Sequence, residues 1–216
     1  GCFVPAVQEN RRDQRQRAII THSPGERQFL AQCVIDKIAD GGAVAGAREP
    51  VRQAPILQRV GNWPGVTVER VIGEYNHCNA TIDVTDLPGI YSFSALSPDE
   101  EVARKHILFD TPDVVVNVID ASNLERNLYL TTQLLEMDVP VVVALNMMDM
   151  AKQRGIRIEI EHLAKHLGCP VVPVVASKKK GIEELQDAIC KISKSHHRPG
   201  VRVAYEKDIE KVLQSL

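Results

Sequence analysis

The sequence lacks several features that would each place it in a particular class of protein. No apolar run approaches the roughly 18 residues of a membrane-spanning helix, and the start has no basic and apolar segments of a secretory signal. The 26 basic side chains face 28 acidic ones, so the net charge of −2 gives no basis for general nucleic-acid or lipid binding. The five cysteines form no Cys-x-x-Cys pair, which indicates reduced thiols.

What the sequence does contain, from residue 58 onward, is a regular alternation of strand-like and helical segments. Near-continuous Val, Ile and Leu runs predict strands that are covered on both faces, and the helices between the later strands indicate a parallel sheet. The first two strands, joined by a short polar turn, are expected to form an antiparallel hairpin at one edge. The predicted strands are 66–72, 81–86, 114–120, 139–146 and 171–175, and the predicted helices are 124–137, 159–167 and 182–192. The predicted class is an open, mostly parallel α/β fold with helices on both faces.

Residues 1–57 differ in composition from the rest of the chain. They contain seven Arg and one Lys, whereas the remaining residues contain eight Arg and ten Lys. Within them we predict a short strand at 17–20 and a capped helix at 24–39. The expected organisation is an aberrant segment over 1–57, an α/β domain over 58–195, and the start of a truncated helical domain over 196–216.

One predicted strand ends in a motif suited to phosphate and Mg²⁺. The strand 81–86 runs into Asp86-Leu87-Pro88-Gly89, at the edge where open parallel sheets bind ligands. An aspartate there can hold hydrated Mg²⁺, and the glycine lets a backbone N–H approach a terminal phosphate. Alone, the motif is also typical of an Asx-capped turn.

Two later strands end in motifs suited to guanine. Asn146-Met147-Met148-Asp149 offers a carboxylate that accepts hydrogen bonds from N1–H and the 2-amino group of guanine, which adenine cannot supply. Ala176-Ser177-Lys178 offers a backbone N–H to the guanine carbonyl oxygen. The order of the three motifs along the chain favours function over three unrelated turns.

Three segments resemble the ferrous iron transport protein B family. They are 58–69 (QRVGNWPGVTVE), 120–130 (DASNLERNLYL) and 144–149 (ALNMMD), within a likeness that runs from about 58 to 195. The resemblance implies a P-loop-NTPase-like guanine-nucleotide-binding (G) domain that uses GTP or GDP with Mg²⁺. It also implies a location at the cytoplasmic face of the bacterial inner membrane. The partner would be the membrane-spanning part of the same transporter, with no nucleic acid, and this fragment by itself would be soluble.

The same resemblance implies roles for individual residues. Thr67 would be the switch threonine that ligates Mg²⁺ and touches the γ-phosphate, and Asp86 would be the second Mg²⁺ site residue. The GTP-binding residues would be Thr67, Asp86, Leu87, Pro88, Gly89, Asn146, Met147, Asp149, Ala176 and Ser177.

The phosphate-binding loop G-x-x-x-x-G-K-[ST] is absent. Where the family has it, 46–53 contains no lysine and no glycine pair. Three hypotheses account for this: residues 18–20, 21–25 and the following helix stand in for strand, loop and helix; residues 1–57 are an out-of-frame translation, which we favour; or the domain is degenerate.

Whether the chain hydrolyses GTP depends on which of these three hypotheses is correct. By resemblance it is a slow GTP hydrolase, since Ile90 rather than glutamine follows Gly89, and with the loop altered we expect hydrolysis far below that of an intact relative. The alternative is a non-catalytic regulatory or interaction module that keeps the fold and has lost tight nucleotide binding.

Two histidine-containing pairs, His77-Cys78 and His196-His197, are considered as iron ligands. Adjacent side chains rarely face one ion together, and no third ligand is suitably spaced along the sequence. We therefore predict no iron site at either pair.

Overall fold

Strands form where β-branched residues run together. The structure is a computed structural model that describes residues 15–22, 59–62, 69–94, 97–195 and 197–200. The strands are β1 (Arg15–His22), β2 (Arg59–Asn62), β3 (Glu69–His77), β4 (Ala80–Asp86), β5 (Val114–Asp120), β6 (Val141–Asn146) and β7 (Val171–Pro173). The helices are α1 (Pro98–Phe109), α2 (Leu124–Glu136), α3 (Met148–Gln153), α4 (Ile160–Leu167) and α5 (Ile182–Ser195), with 3₁₀ turns at Ala121–Asn123 and Ala176–Lys178.

The seven strands form one sheet in the order β2-β3-β4-β1-β5-β6-β7. The four pairings from β4 to β7 are parallel, and β3 pairs antiparallel with both β2 and β4. The predicted open, mostly parallel sheet with an antiparallel hairpin is therefore confirmed. One detail of the prediction is wrong: β2 extends the sheet beyond the hairpin. Its sequence, Arg-Val-Gly-Asn, has no pattern typical of a strand, and only its antiparallel pairing with β3 identifies it as one.

β1 occupies the middle of the sheet, between β4 and β5. Residue Ile20 is in register with Asp86 on one side and Val116 on the other, and it is 1% exposed. The strand includes the residues 17–20 that the sequence predicts as a strand and extends two residues beyond them at each end. The predicted helix at 24–39 lies outside the described residues.

Both faces of the sheet are covered by helices, as predicted. One apolar cluster joins the sheet to α5 through Ile182, Leu185, Ile189 and Ile192. The other cluster packs the opposite face against the remaining four helices. Within the described ranges, no helix is both long and apolar enough to cross a membrane.

Helix α1 was not anticipated, although its start carries a clear sequence signal. The Ser97 hydroxyl accepts a hydrogen bond from the backbone N–H of Glu100, and Pro98 occupies the first turn. The helix then buries Ala103 and Ile107 in the second apolar cluster. This combination of a hydroxyl cap and proline would have identified it.

We predict that β1 contributes to stability as a core strand despite the unusual composition of its surroundings. Replacing the buried Ile20 by alanine should lower the free energy of unfolding by about 2–5 kcal/mol, because it removes packed methyl groups and leaves a cavity. Arg15→Ala on the same strand is the control, since this side chain is 60% exposed and its ion pairs lie at the surface. It should cost about 1 kcal/mol or less. If urea denaturation gave the same decrease in the free energy of unfolding for both variants, β1 would not be part of the core.

Candidate functional site

The polar strand ends lie along one edge of the sheet. Asp86, Asp120 and Asn146 are the last residues of β4, β5 and β6, and these strands run parallel with β1 between β4 and β5. Asp86 and Asn146 are three strand spacings apart, about 14 Å across the sheet. The register places Asp86 level with Ile20, Val116 and Val142, so Asn146 also lies four residues, about 13 Å, further along the strand direction.

The turn after β4 is tied to the middle of the sheet. The backbone N–H of Leu87 donates to the carbonyl oxygen of Ile20 at 2.9 Å. Leu87 is 1% exposed and Pro88 is buried, whereas Gly89 is half-buried. The motif is therefore a fixed turn in which Gly89 is the more accessible residue.

Asp86 has the chemistry that a phosphate-bound Mg²⁺ requires. It is 9% exposed at the strand tip, and a single carboxylate with phosphate oxygens and water is a common ligand set for this hard cation. The residue thus fits the predicted role. Thr67, the other predicted ligand, lies outside the described residues.

Asn146 joins the ends of two strands. Its Oδ1 accepts a hydrogen bond from the backbone N–H of Ala176 at 3.2 Å, and it is 4% exposed. The N–H of Val174 donates to the carbonyl oxygen of Leu145 at 2.8 Å beside it. Asn146 therefore positions the 176–178 turn.

Asp149 is held beside that turn. Met147 adopts a left-handed conformation with φ 57°, after which Asp149 begins the first turn of α3. Its Oδ2 accepts from Lys178 Nζ at 2.7 Å and its Oδ1 from the N–H of Met150 at 3.0 Å. The hydrogen bond from Lys178 is the main reason that the pKa of Asp149 is lowered. The carboxylate is therefore ionised at neutral pH.

The turn that carries Ser177 is closed by a glycine. Ser177 is exposed within the 3₁₀ turn, and Val175 pairs with Lys180 on either side of it. Gly181 follows with φ 81°, and an added Cβ would collide with the carbonyl oxygen of Pro173. The backbone thus approaches β7 at a distance that only glycine allows.

The structure brings together most of the residues that the sequence singles out. Asn146, Met147, Asp149, Ala176 and Ser177 form one cluster at the ends of β6 and β7. The residues Asp86, Leu87, Pro88 and Gly89 lie at the same edge of the sheet, at the end of β4. Thr67 lies outside the described residues.

Two contacts at this edge were missed by sequence reasoning. The sequence offers Lys178 only as one of three consecutive lysines, which is typical of a solvated surface, yet its ammonium contacts Asp149. Arg154 donates to the hydroxyl of Ser122 at 3.2 Å and so links α3 to the turn after β5. Neither pairing has a signal in the sequence spacing.

The segment 120–130 has a structural role. Asp120 Oδ1 accepts from the N–H of Ser122 at 2.7 Å. Asn127, 4% exposed, donates to the carbonyl oxygen of Asn123 at 2.8 Å. The Arg126 guanidinium lies 3.9 Å from the ring centroid of Tyr91, a cation–π contact. This segment therefore secures the chain just after Gly89 against α2.

The fold and its strand-end motifs define the class of G domains. The cytosolic domain of L. pneumophila FeoB aligns with a TM-score of 0.76 at 38% identity over 93% of this chain and 77% of that one. The FeoB G-domain from Methanococcus jannaschii aligns with a TM-score of 0.64 at 37% identity, over 84% and 99%. The cytosolic domain of the T. maritima FeoB iron transporter in a GDP form aligns with a TM-score of 0.77 at 31% identity, over 93% and 72%.

Sequence comparison identifies the family within that class. The family model described as ferrous iron transport protein B matches residues 54–189. The Fe(2+) transporter FeoB of Escherichia coli strain K12 is 52% identical over 136 residues, which are 61% of this chain and 18% of the relative. The chain thus spans less than a fifth of the length of the curated relatives it matches. It belongs to the ferrous iron transport protein B family.

We predict that Gly181 is required for the turn beside Asn146. Gly181→Ala should lower the free energy of unfolding by about 2–4 kcal/mol, because the methyl group meets backbone and the left-handed φ is strained. Gly155→Ala is the matched control, since Gly155 has φ 73° but nothing within 4 Å of an added Cβ. This variant should therefore lose only the roughly 1–2 kcal/mol that a left-handed φ costs a residue with a Cβ. Equal losses for the two variants in denaturant titrations would contradict the close approach to Pro173.

Proposed function

We propose that this chain binds GDP and GTP with Mg²⁺ at the carboxyl edge of the sheet. Residues of about 58–195, with β1 in the middle of their sheet, would act as the nucleotide-binding domain of a ferrous iron transporter and hydrolyse GTP slowly. Family membership supports this, as do relatives solved in GDP and GMPPNP forms. The observation that carries the proposal is the junction of Asn146, Asp149 and the 176–178 turn. On this proposal the domain lies on the cytoplasmic side of the inner membrane, attached to the transporter's membrane-spanning part.

Guanine recognition rests on Asp149. An ionised carboxylate offers about four acceptor positions, and the structure engages one on each oxygen, through Lys178 and Met150. Both oxygens keep capacity for N1–H and the 2-amino group. The lysine also offsets the cost of desolvating the carboxylate at the edge of a bound base.

The 176–178 turn supplies the contact to the guanine carbonyl oxygen. The N–H of Ala176 already donates to Asn146. The proposal therefore assigns the base contact to the N–H of Ser177, which is exposed at the apex of the turn. Met147 lies between Asn146 and Asp149 and would line the base pocket.

The phosphate end would use the turn after β4. Bound Mg²⁺ neutralises charge that develops on the phosphate oxygens. Asp86 would hold it, with Thr67 as the second residue by family likeness, and the N–H of Gly89 would donate to the terminal phosphate. Because the phosphate-binding lysine and hydroxyl motif are missing from the chain, this end should contribute less affinity than the base end.

The residue after Gly89 gives a reason to expect slow hydrolysis, in addition to the missing phosphate-binding motif. Ile90 follows Gly89, is 1% exposed and packs in the apolar cluster with α1 and α2. A side chain in this place cannot orient an attacking water. The site would position a nucleotide without supplying a group that activates the nucleophile.

The central test is calorimetric titration with GDP and Mg²⁺. We expect micromolar or tighter binding of GDP and none of ADP under the same conditions. Asp149→Asn should weaken GDP binding at least tenfold, because the amide places N–H groups against guanine donors. The same variant should gain affinity for xanthosine diphosphate, whose 2-carbonyl accepts from that amide.

Asp138→Asn is the matched control for this test. Asp138 is an exposed aspartate in the loop before β6, where it pairs with Arg198, and so lies away from the strand ends that carry the site. Its replacement should leave GDP affinity unchanged. Absence of heat with GDP would overturn the proposed function, and equal binding of GDP and ADP would overturn the role of Asp149.

We also predict that glutamine cannot restore hydrolysis at position 90. Ile90→Gln should leave GTP turnover within about twofold, measured as phosphate release. It should lower the free energy of unfolding by about 2–4 kcal/mol, because it buries an amide in an apolar cluster. Met150→Gln, at a side chain 39% exposed, is the stability control and should cost little. A tenfold rise in turnover for Ile90→Gln would refute the structural assignment of this residue.

A further inference from the structure

A cluster of three potential metal ligands lies far from the strand-end motifs. His77 ends β3, Cys78 follows in the hairpin turn, and Asp187 lies on α5. Their ligand atoms all lie within 4.8 Å of one another, and His77 Nε2 is 2.7 Å from Asp187 Oδ1. His77 pairs with Ala80 at the beginning of β4, so the cluster sits at the opposite end of that strand from Asp86.

The hairpin turn holds the cysteine in an unusual conformation. Cys78 and Asn79 have φ values of 49° and 60°, as in the two-residue turns that favour asparagine and glycine. Asparagine suits its position, whereas a cysteine in the left-handed region is strained. This geometry nevertheless brings an exposed thiol beside His77 and Asp187.

The surroundings of the cluster affect its charge. The Nζ of Lys194 donates to the carbonyl oxygen of Cys78 at 2.7 Å, which places one positive charge nearby. A hydrogen bond with the neighbouring Cys190 thiol is the main reason that the pKa of the exposed Cys78 thiol is raised to about 11. The thiol is therefore protonated at neutral pH, and a metal ion that binds it must displace a proton.

We propose that His77, Cys78 and Asp187 bind a divalent first-row transition-metal ion, with water in the fourth position. A nitrogen, a sulfur and an oxygen ligand suit Zn²⁺, Co²⁺ and Fe²⁺, whereas Mg²⁺ and Ca²⁺ require oxygen. On binding, the S–H bond of Cys78 breaks, a metal–sulfur bond forms and the proton leaves to solvent. The thiolate and the Asp187 carboxylate balance the charge of the ion.

This site overturns the expectation that His77-Cys78 lacks a third ligand. Sequence spacing cannot show it, because Asp187 is 110 residues from His77. The contact exists because α5 packs across the face of the sheet that ends in this hairpin. The other pair considered, His196-His197, includes a residue outside those described.

Titration of the full 216-residue chain with Co²⁺, with its thiols kept reduced, tests the proposal. We expect saturable 1:1 binding with a thiolate-to-cobalt charge-transfer band in the near ultraviolet. Cys78→Ser should abolish the band, and Asp187→Asn should weaken the affinity at least tenfold. Zn²⁺, and Fe²⁺ without oxygen, should displace the cobalt, whereas excess Mg²⁺ should not.

The controls separate this site from other ligands. Cys2→Ser and Cys33→Ser should both keep the band. His162→Gln should keep it as well, since the exposed pair His162 and His166, with Nε2 atoms 3.1 Å apart, offers nitrogen only. Circular dichroism verifies that each variant is folded. No band in the unmodified chain, or a band that persists in Cys78→Ser, would overturn the proposal.

Discussion

The pairing of β1 on both of its edges is the constraint on which the rest of the structure depends. A strand missing from the middle of a parallel sheet would leave two rows of backbone N–H and C=O groups unpaired in the interior. β1 satisfies β4 and β5 together, and the Asp113 carboxylate accepts from the N–H of Arg17 at 2.6 Å near its start. Without this strand, β4 and β5 would have no partner between them and the sheet would be divided in two.

The two halves of the candidate site depend on β1 to different degrees. The turn after Asp86 is fixed by the hydrogen bond from Leu87 to Ile20, so its position follows that of β1. The half to which we assign base binding is built by β6, β7 and the turns after them, with the Asn146 side chain accepting a hydrogen bond from the backbone N–H of Ala176. That half is therefore complete within residues that carry the family pattern. On our proposal, the loss of the phosphate-binding motif from the sequence therefore affects the phosphate end of the site and leaves the base end intact.

Sequence reasoning identified what depends on local pattern and missed what depends on packing. The run Val114–Asp120 is predicted to the residue, because buried parallel strands need uninterrupted β-branched residues. β2 was missed because its four residues have no such pattern, and the contact of Lys178 with Asp149 because it joins residues 29 apart. Asn146 and Asp149 were found as a pair. Only coordinates show that the first positions a backbone turn while the second presents its carboxylate.

The unusual N-terminal segment shows how differently fold and chemistry constrain a sequence. A central strand needs only a few apolar residues of suitable shape, and Ala18, Ile19 and Ile20 meet that demand with at most 3% exposure. A phosphate-binding loop needs glycines, a lysine and a hydroxyl at fixed spacing, which chance seldom supplies. A chain can therefore keep the sheet of a G domain while the phosphate site is altered. Similarity of fold therefore supports the position that we propose for a nucleotide, whereas the phosphate-binding motif that would hold its phosphates is missing from the sequence.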